Sequence, residues 1–188
     1  MTSFERLIFI DLETTGANAA TDRITEIGLV EVSGETSNRW SSLVNPGIPI
    51  PDFIQQLTGI DDAMVRDAPK FAHLQDALLQ RLTGALFIAH NARFDHGFLR
   101  NAFAESGHQL QCDVLCTVKL SRHLFPDESK HNLDTLIQRH RLQTENRHRA
   151  LADADLLWQL WRKLQSEIPA EKFEQAIQAQ LPHYRFPK

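Results

Sequence analysis

Apolar runs and their breaks divide the chain into alternating strands and helices. Residues 6–12 (Arg-Leu-Ile-Phe-Ile-Asp-Leu) form an apolar run that meets a charge near its end, and Thr14-Thr15-Gly16 breaks it. Residues 24–32 (Ile-Thr-Glu-Ile-Gly-Leu-Val-Glu-Val) predict a second strand, Gly34 a hairpin turn, and residues 37–44 a third, antiparallel strand. A loop follows at Asn45-Pro46-Gly47, with Pro49 and Pro51, then a short helix near 52–57. Pro69 opens a helix reaching Thr83, with Phe71, Leu74, Leu78 and Leu82 at helical spacing. Residues 85–89 predict a short buried strand that ends at His90-Asn91, and Gly107 stops the helix that follows from Phe94 to Ser106. A fifth strand is predicted at 110–114, then helices at 115–123 and 133–140, the second with Asn132 as its N-cap. Leu156, Leu157, Leu160, Trp161 and Leu164 mark the apolar side of a longer helix from Ala150 to Glu167, which Pro169 ends. One more helix is predicted near 170–179.

This order describes an α/β domain with a mixed sheet. The strands at 24–32 and 37–44 are joined by a hairpin. Those at 6–12 and 85–89 are separated by enough chain for a crossover, which makes them parallel neighbours. The 188 residues suit one core and a single domain. Apolar residues are 42% and charged residues 23%, the balance of a soluble protein, and no run approaches the roughly 20 apolar residues of a membrane span. Glu5, Arg6, Asp11 and Glu13 interrupt any apolar leader, so the expected location is cytoplasmic, with no membrane partner.

Charge sharpens this picture slightly. The net charge of −4 does not advertise a nucleic-acid binder. Residues 119–149, however, hold seven Lys/Arg against four acids, a local +3 that leaves −7 for the remainder, and they include His123, His131, His140 and His148. Such a segment is either a phosphate-attracting face or an ordinary solvated surface. Cys112 and Cys116 are expected as small buried hydrophobes rather than a disulfide.

Three acidic sites fall where apolar elements end or begin. Asp11 closes the first strand, and ligand sites of open α/β sheets gather at the carboxyl ends of strands. Asp11 and Glu13, two apart in extended chain, point to one side. Two carboxylates desolvated by Ile8, Phe9 and Ile10 repel each other, and a divalent cation removes that cost. Hard oxygen ligands suit Mg²⁺ or Mn²⁺. Alone, the pair would be an ordinary polar strand end. Asp95 follows a second apolar strand, in His90-Asn91-Ala92-Arg93-Phe94-Asp95, where the dipole of the next helix also favours an acid. Asp153 begins the long helix, with His148 five residues before it. Five helical residues turn through about 500°, so both serve one site only if His148 lies on the loop leading in. Taken singly, His148 would be one more basic surface residue.

Together, Phe9-Ile10-Asp11-Leu12-Glu13-Thr14-Thr15-Gly16, His90-Asn91-Ala92-Arg93-Phe94-Asp95 and His148-x-Ala150-x-x-Asp153 resemble the three exonuclease motifs of the DnaQ-like (DEDDh) superfamily. His131-Asn132-Leu133-Asp134-Thr135-Leu136 resembles the short helix that precedes the third motif. The likeness covers residues 5–165, and the His-to-Asp spacing is that of the histidine branch. It implies a ribonuclease H-like fold, a five-stranded mixed sheet flanked by helices, with an exonuclease domain over 1–168 and a C-terminal helix and tail over 169–188. It implies two divalent cations, Mg²⁺ or Mn²⁺. Asp11, Glu13 and Asp153 would hold one, Asp11 would reach the second, and Asp95 would support it directly or through water. His148 would be the general base. Leu12, Thr14, Thr15 and Asn91 are the implied substrate contacts, joined by Thr58 and Ile60 of a Thr-Gly-Ile segment similar to the family's His-Gly-Ile loop. Arg147 and Arg149 are candidates to hold phosphate.

The implied reaction is 3′–5′ hydrolysis of a nucleic acid end to nucleoside 5′-monophosphates. The Asp-Leu-Glu-Thr-Thr-Gly form resembles the polymerase III epsilon and PolC proofreading group more than oligoribonuclease. That favours single-stranded DNA, in replication proofreading or repair, over tRNA-end trimming or short oligoribonucleotides. A polymerase subunit or a sliding clamp is the implied protein partner, and a polymerase- or clamp-associated binding module with secondary nuclease activity is the alternative from another class. The stretch from Gln178 to Phe186 matches a clamp-binding peptide poorly, and a frayed terminus is expected there.

Overall fold

A computed structural model describes residues 4–181. Strand β1 (Arg6–Thr14) lies at the centre of a five-stranded sheet. On one side it pairs antiparallel with β2 (Ile24–Ser33), which pairs antiparallel with β3 (Thr36–Leu43). On the other side it pairs parallel with β4 (Leu86–Ala89), which pairs parallel with β5 (Asp113–Cys116). The helices are α1 (Asp52–Thr58), α2 (Asp62–Val65), α3 (Phe71–Leu82), α4 (Arg93–Glu105), α5 (Thr117–Leu124), α6 (Leu133–His140), α7 (Ala150–Glu167) and α8 (Ala170–Gln178). The expected five-stranded mixed sheet and the parallel pairing across β1 are both present.

Alternation along β1 sends its side chains into two apolar layers. Leu7 and Phe9 join Val30 and Val32 of β2 and the stripe Leu156, Leu157, Leu160, Trp161 and Leu164 of α7. Ile8, Ile10 and Leu12 join Ile27 and Leu29 with Leu78 and Leu82 of α3 and Phe98, Leu99 and Phe103 of α4. Phe9 is the pivot of the first layer, with its ring 5.2 Å from Trp158 and 5.7 Å from Trp161. Asp11 and Glu13 continue the α7-facing row beyond Phe9, and opposite them on β2 stand Gly28 and Glu26. Gly28 lets α7 come close: a Cβ there would lie 2.1 Å from Leu151 N and 2.2 Å from Ala150 C. That approach brings the first turn of α7 onto the carboxyl end of β1.

Several details differ from the sequence expectations. The fifth strand is 113–116 rather than 110–114, because Leu86–Ala89 offers its parallel partner there, and α5 starts two residues later as a result. Cys116 therefore lies on a strand, and Cys112 and Cys116 are both free thiols. β1 runs on to Thr14, with its pairing register shifting between Glu13 and Thr14. Asn132 does sit at the N-cap of α6, but its side chain caps no backbone N–H and instead accepts from the Thr135 hydroxyl. The single turn α2 was not foreseen, and Asp61 caps it by accepting from Met64 N at 2.8 Å.

Of the stretch from Gln178 that is expected to fray, the structure describes only Gln178 to Leu181, and of these Gln180 and Leu181 are packed. Leu181 is buried with Phe173 and Ile177 in the α7 layer, and the Gln180 amide bonds the Cys116 backbone. The remainder of that stretch, from Pro182 on, lies outside the described residues. Among the described residues no helix is long and apolar enough to cross a membrane.

Candidate active site

Two elements carry acids to the carboxyl end of β1 from opposite faces of the sheet. From the α7 side comes Asp153, which occupies the buried stripe of α7 one turn before Leu157, where a helix of this pattern would otherwise place an apolar residue. From the α4 side comes Asp95, in the first turn of α4. Asp153 and Asp95 are 5% and 2% exposed. Ligand oxygens of Asp11, Glu13 and Asp153 lie within 4.8 Å of one another. Asp95 stands just behind this trio. Its Oδ1 accepts the backbone N–H of Leu12 at 3.2 Å, which ties α4 to the strand between the two β1 acids.

Their electrostatics show what the arrangement costs. Burial, then Asp95, Asp153 and Glu13, raise the Asp11 carboxyl well above its ordinary range. Burial, Asp153 and Glu26 push Glu13 up to about 7, against the pull of Arg147 and Arg149. Burial chiefly, helped by Glu13, pushes Asp95 up to about 8, although backbone hydrogen bonds oppose it. Asp153 is raised by burial and held back by the hydrogen bond and charge of Arg147. These are the effects of desolvation and like charge, and a cation reverses both.

The donor set fits a hard divalent ion, since every ligating atom is a carboxylate oxygen. Asp153 supplies a second observation. Its Oδ2 takes a hydrogen bond from Arg147, while its buried Oδ1 has no hydrogen-bond partner. A buried, unsatisfied oxygen on a carboxylate of such a trio is a ready cation ligand.

His148 lies on the turn before α7, as the spacing required, and it adopts a left-handed backbone with φ 61°. The turn is pinned on both sides. Arg147 reaches Asp153 and, at 3.0 Å, Asp134, while Arg149 pairs with Glu26. With Arg139 paired to Glu128 at 2.9 Å, three of the seven cations of the basic segment are tied to carboxylates. Much of its +3 is therefore internal wiring rather than a free face.

The proposed substrate contacts are placed unevenly. Asn91 is exposed at φ 62° and lines a cavity of about 260 Å³ with Ala17, Ala19, Arg93, Phe94 and Phe98. Leu12, Thr14 and Thr15 are buried. The Thr14 hydroxyl donates to Gly16 O at 2.6 Å, and the Thr15 hydroxyl accepts from Arg23 N at 3.0 Å. Thr58 donates to Ile54 O at 2.9 Å and accepts from Ile60 N at 3.1 Å, while Ile60 sits in a small separate core with Ile50, Ile54 and Val65. The four threonine and isoleucine side chains are thus spent on local structure, and Asn91 faces open space.

Glu26 and Gly28 were missed as site residues. Each left a signal: an acid inside a β-branched run has to be paired when buried, and a glycine inside a strand marks a close approach.

Comparison with known proteins agrees with this geometry. The exonuclease family model (RNase_T) matches residues 8–160. The PolC-type DNA polymerase III of Caldanaerobacter subterraneus is 36% identical over 162 residues, covering 86% of this chain and 12% of that protein. The 3′–5′ exonuclease DinG of Bacillus subtilis is 39% identical over 155 residues, covering 81% of this chain and 17% of that protein. The chain therefore spans under a fifth of the length of these relatives. Exonuclease X, solved in complex with 5′ overhanging duplex DNA, superposes with a TM-score of 0.70 at 29% identity, covering 91% of this chain and 99% of that one. Exonuclease I, at 18% identity, shares the fold with a TM-score of 0.80, over 91% of this chain and 43% of its own. The architecture is the ribonuclease H-like fold of these exonucleases.

Proposed function

The chain belongs to the DnaQ-like exonuclease family, and from that premise we propose that it is a metal-dependent 3′–5′ exonuclease acting on single-stranded DNA ends. The observation that carries this reading is the carboxylate trio Asp11, Glu13 and Asp153, with oxygens within 4.8 Å and one Asp153 oxygen unsatisfied. Asp11, Glu13 and Asp153 would hold one divalent ion, Mg²⁺ or Mn²⁺, and Asp11 with Asp95 would serve a second. When bound, the ions would supply positive charge to the scissile phosphate and the leaving oxygen and acidify the attacking water.

The chain's own residues supply the rest. His148 accepts the proton of that water on its imidazole as the new P–O bond forms. The bond from phosphorus to the 3′ oxygen of the preceding nucleotide breaks, the 3′ oxygen takes a proton from solvent, and a nucleoside 5′-monophosphate leaves. Asp95, held by the Leu12 N–H, keeps β1 and α4 in register so that Asp11 and Glu13 keep their spacing. Asn91 and the segment Leu12–Thr15 border the terminal nucleotide, and Thr58 and Ile60 brace the Thr-Gly-Ile loop from within. DNA is favoured because the PolC-type relative is a DNA polymerase and Exonuclease X was solved with duplex DNA. Proofreading or repair is the corresponding role, with a polymerase or clamp as partner.

Strands of equal sequence in DNA and RNA, labelled at the 5′ end, provide the test. The expected result is a ladder of labelled DNA shortening from the 3′ end with Mg²⁺ or Mn²⁺, and no cleavage in EDTA. Release of labelled mononucleotide at the outset would mean the opposite polarity. Faster loss of the RNA strand would move the substrate to RNA, and undiminished activity in EDTA would remove the metal mechanism.

A further inference from the structure

Glu26 stands directly opposite Glu13 on the neighbouring antiparallel strand, on the face that α7 covers. Like charges so placed repel, and nothing in the carboxylate trio requires a fourth acid there. Yet Glu26 is 4% exposed, and the hydrogen bonds its carboxylate accepts come from the start of α7. Arg149 donates to it from Nε at 3.2 and 3.1 Å and from Nη2 at 2.7 Å. The Ala150 N–H donates to Glu26 Oε2 at 2.9 Å. Ala150 is the first residue of α7, and its N-cap, Arg149, offers no side-chain cap. A carboxylate from a strand 124 positions earlier thus caps the helix from outside, where the helix dipole favours an anion.

His148 immediately precedes these two anchored residues. Its φ of 61° is a conformation that a side-chain-bearing residue holds only when its surroundings impose it. The Glu26–Arg149–Ala150 bracket holds the chain immediately on its C-terminal side. Gly28, two residues along β2 on the same face, removes the Cβ that would push the helix start away.

We infer that Glu26 is a positioning residue for His148: by clamping Arg149 and the first N–H of α7, it fixes the turn from which the base acts. The inference rests on the reading of His148 as general base. It gives Glu26 no ligand role toward substrate or metal, its charge bearing on Glu13 only by repulsion, and makes it important in the proton-transfer step.

Four proteins test it: the parent, Glu26→Ala, His148→Gln and the double variant, with kcat and KM measured at saturating Mn²⁺. Glu26→Ala should lose about 10- to 100-fold in kcat with KM unchanged, as supporting partners of an active site do. In the His148→Gln background the same change should alter kcat less than about twofold, because residues acting through one another are not additive. Glu26→Gln keeps an acceptor for the Ala150 N–H and should fall between parent and Glu26→Ala. It also carries the test if Glu26→Ala does not fold. Additive losses in the double variant would overturn the inference, and so would a loss that appears in KM or is recovered by more Mn²⁺. Full activity in His148→Gln would overturn the base reading itself, and Glu26 would lose its role with it.

Discussion

The two ends of the β1–β2 pair bury charge in opposite ways. At the amino end of β1, one acid is shared by two cations: Glu31 accepts from Arg6 at 2.7 Å and from Arg81 at 3.0 Å. Arg6 also donates to Arg81 O at 2.6 Å and Thr83 O at 3.3 Å, so it satisfies carbonyls at the carboxyl end of α3. At the other end, Asp11, Glu13, Asp95 and Asp153 meet with Arg147 on Asp153. The first cluster is complete within the chain. The second gathers more carboxyl groups than cations to pair them and has a buried oxygen left over. A sheet that pairs its charge at one end and not at the other leaves the unbalanced end able to take up a cation.

The sharpest way to break the comparison is to remove one acid from the unbalanced end. Asp11→Asn keeps the shape and removes a carboxylate that burial and three acidic neighbours already disfavour. Nuclease activity should fall by on the order of 1000-fold or more, as when a group that stabilises transition-state charge is removed. In chelator at pH 8 the melting temperature should rise, because repulsion has been relieved. A folded Asp11→Asn protein with ordinary turnover would sink the metal site, and a lower melting temperature would show that the cluster is not strained.

Acidity gives the next largest effect. Glu13, at about 7, and Asp95, at about 8, both titrate above the ordinary carboxylate range of about 4. At these two groups the folded chain holds more protons than the unfolded one, so they lower stability as pH rises; His90 and His96, pushed down to about 4 by burial, act the opposite way below about 6.5, which leaves the acids to set the slope above neutrality. The metal-free protein should therefore melt at progressively lower temperature from pH 7 to pH 8. Mn²⁺ binds the deprotonated carboxylates, so the stabilisation it gives should grow over the same interval. Thermal melts with EDTA or Mn²⁺ at each pH read this directly. A metal-free melting temperature that climbs over the window would contradict the raised acids.

The difference between the two ends also decided what could be read from the sequence. β1 and β4 were legible because long apolar runs announce buried strands, and Asp11, Glu13 and Asp95 were legible because charge closes those runs. His148 is placed on a loop by its spacing to Asp153, but no local pattern encodes its left-handed backbone. β5 shifted by a few residues because Leu110 and Cys112 extend its apolar pattern, while pairing with β4 selects 113–116. α2 is too short for any helical period to show. Glu26 could be recognised as an acid needing a partner, yet that partner lies 123 residues away, and only the fold joins them. Arg147 and Arg149 were offered as phosphate holders, and the structure pairs both with carboxylates.

The balanced end should give the smallest response and the opposite sign. Glu31→Gln leaves Arg6 and Arg81 facing each other without their shared acid, although Arg6 keeps its two carbonyl acceptors and Arg81 keeps its place over the Trp40 ring at 5.8 Å. All three side chains retain some contact with water, which screens the loss. The cost should be about 1 kcal/mol, a fall in melting temperature of about 2–4 °C for a chain of this size. That fall should be the same at pH 5 and pH 8 and indifferent to Mn²⁺, and turnover should stay within about twofold of the parent. Glu31 sits on the α3-facing side of β2, whereas Asp11 and Glu13 face α7, so the two clusters share strands but no side-chain layer. If Glu31→Gln changed turnover as Asp11→Asn does, the two ends would be one coupled network, and the division between a structural and a chemical end of the sheet would fail.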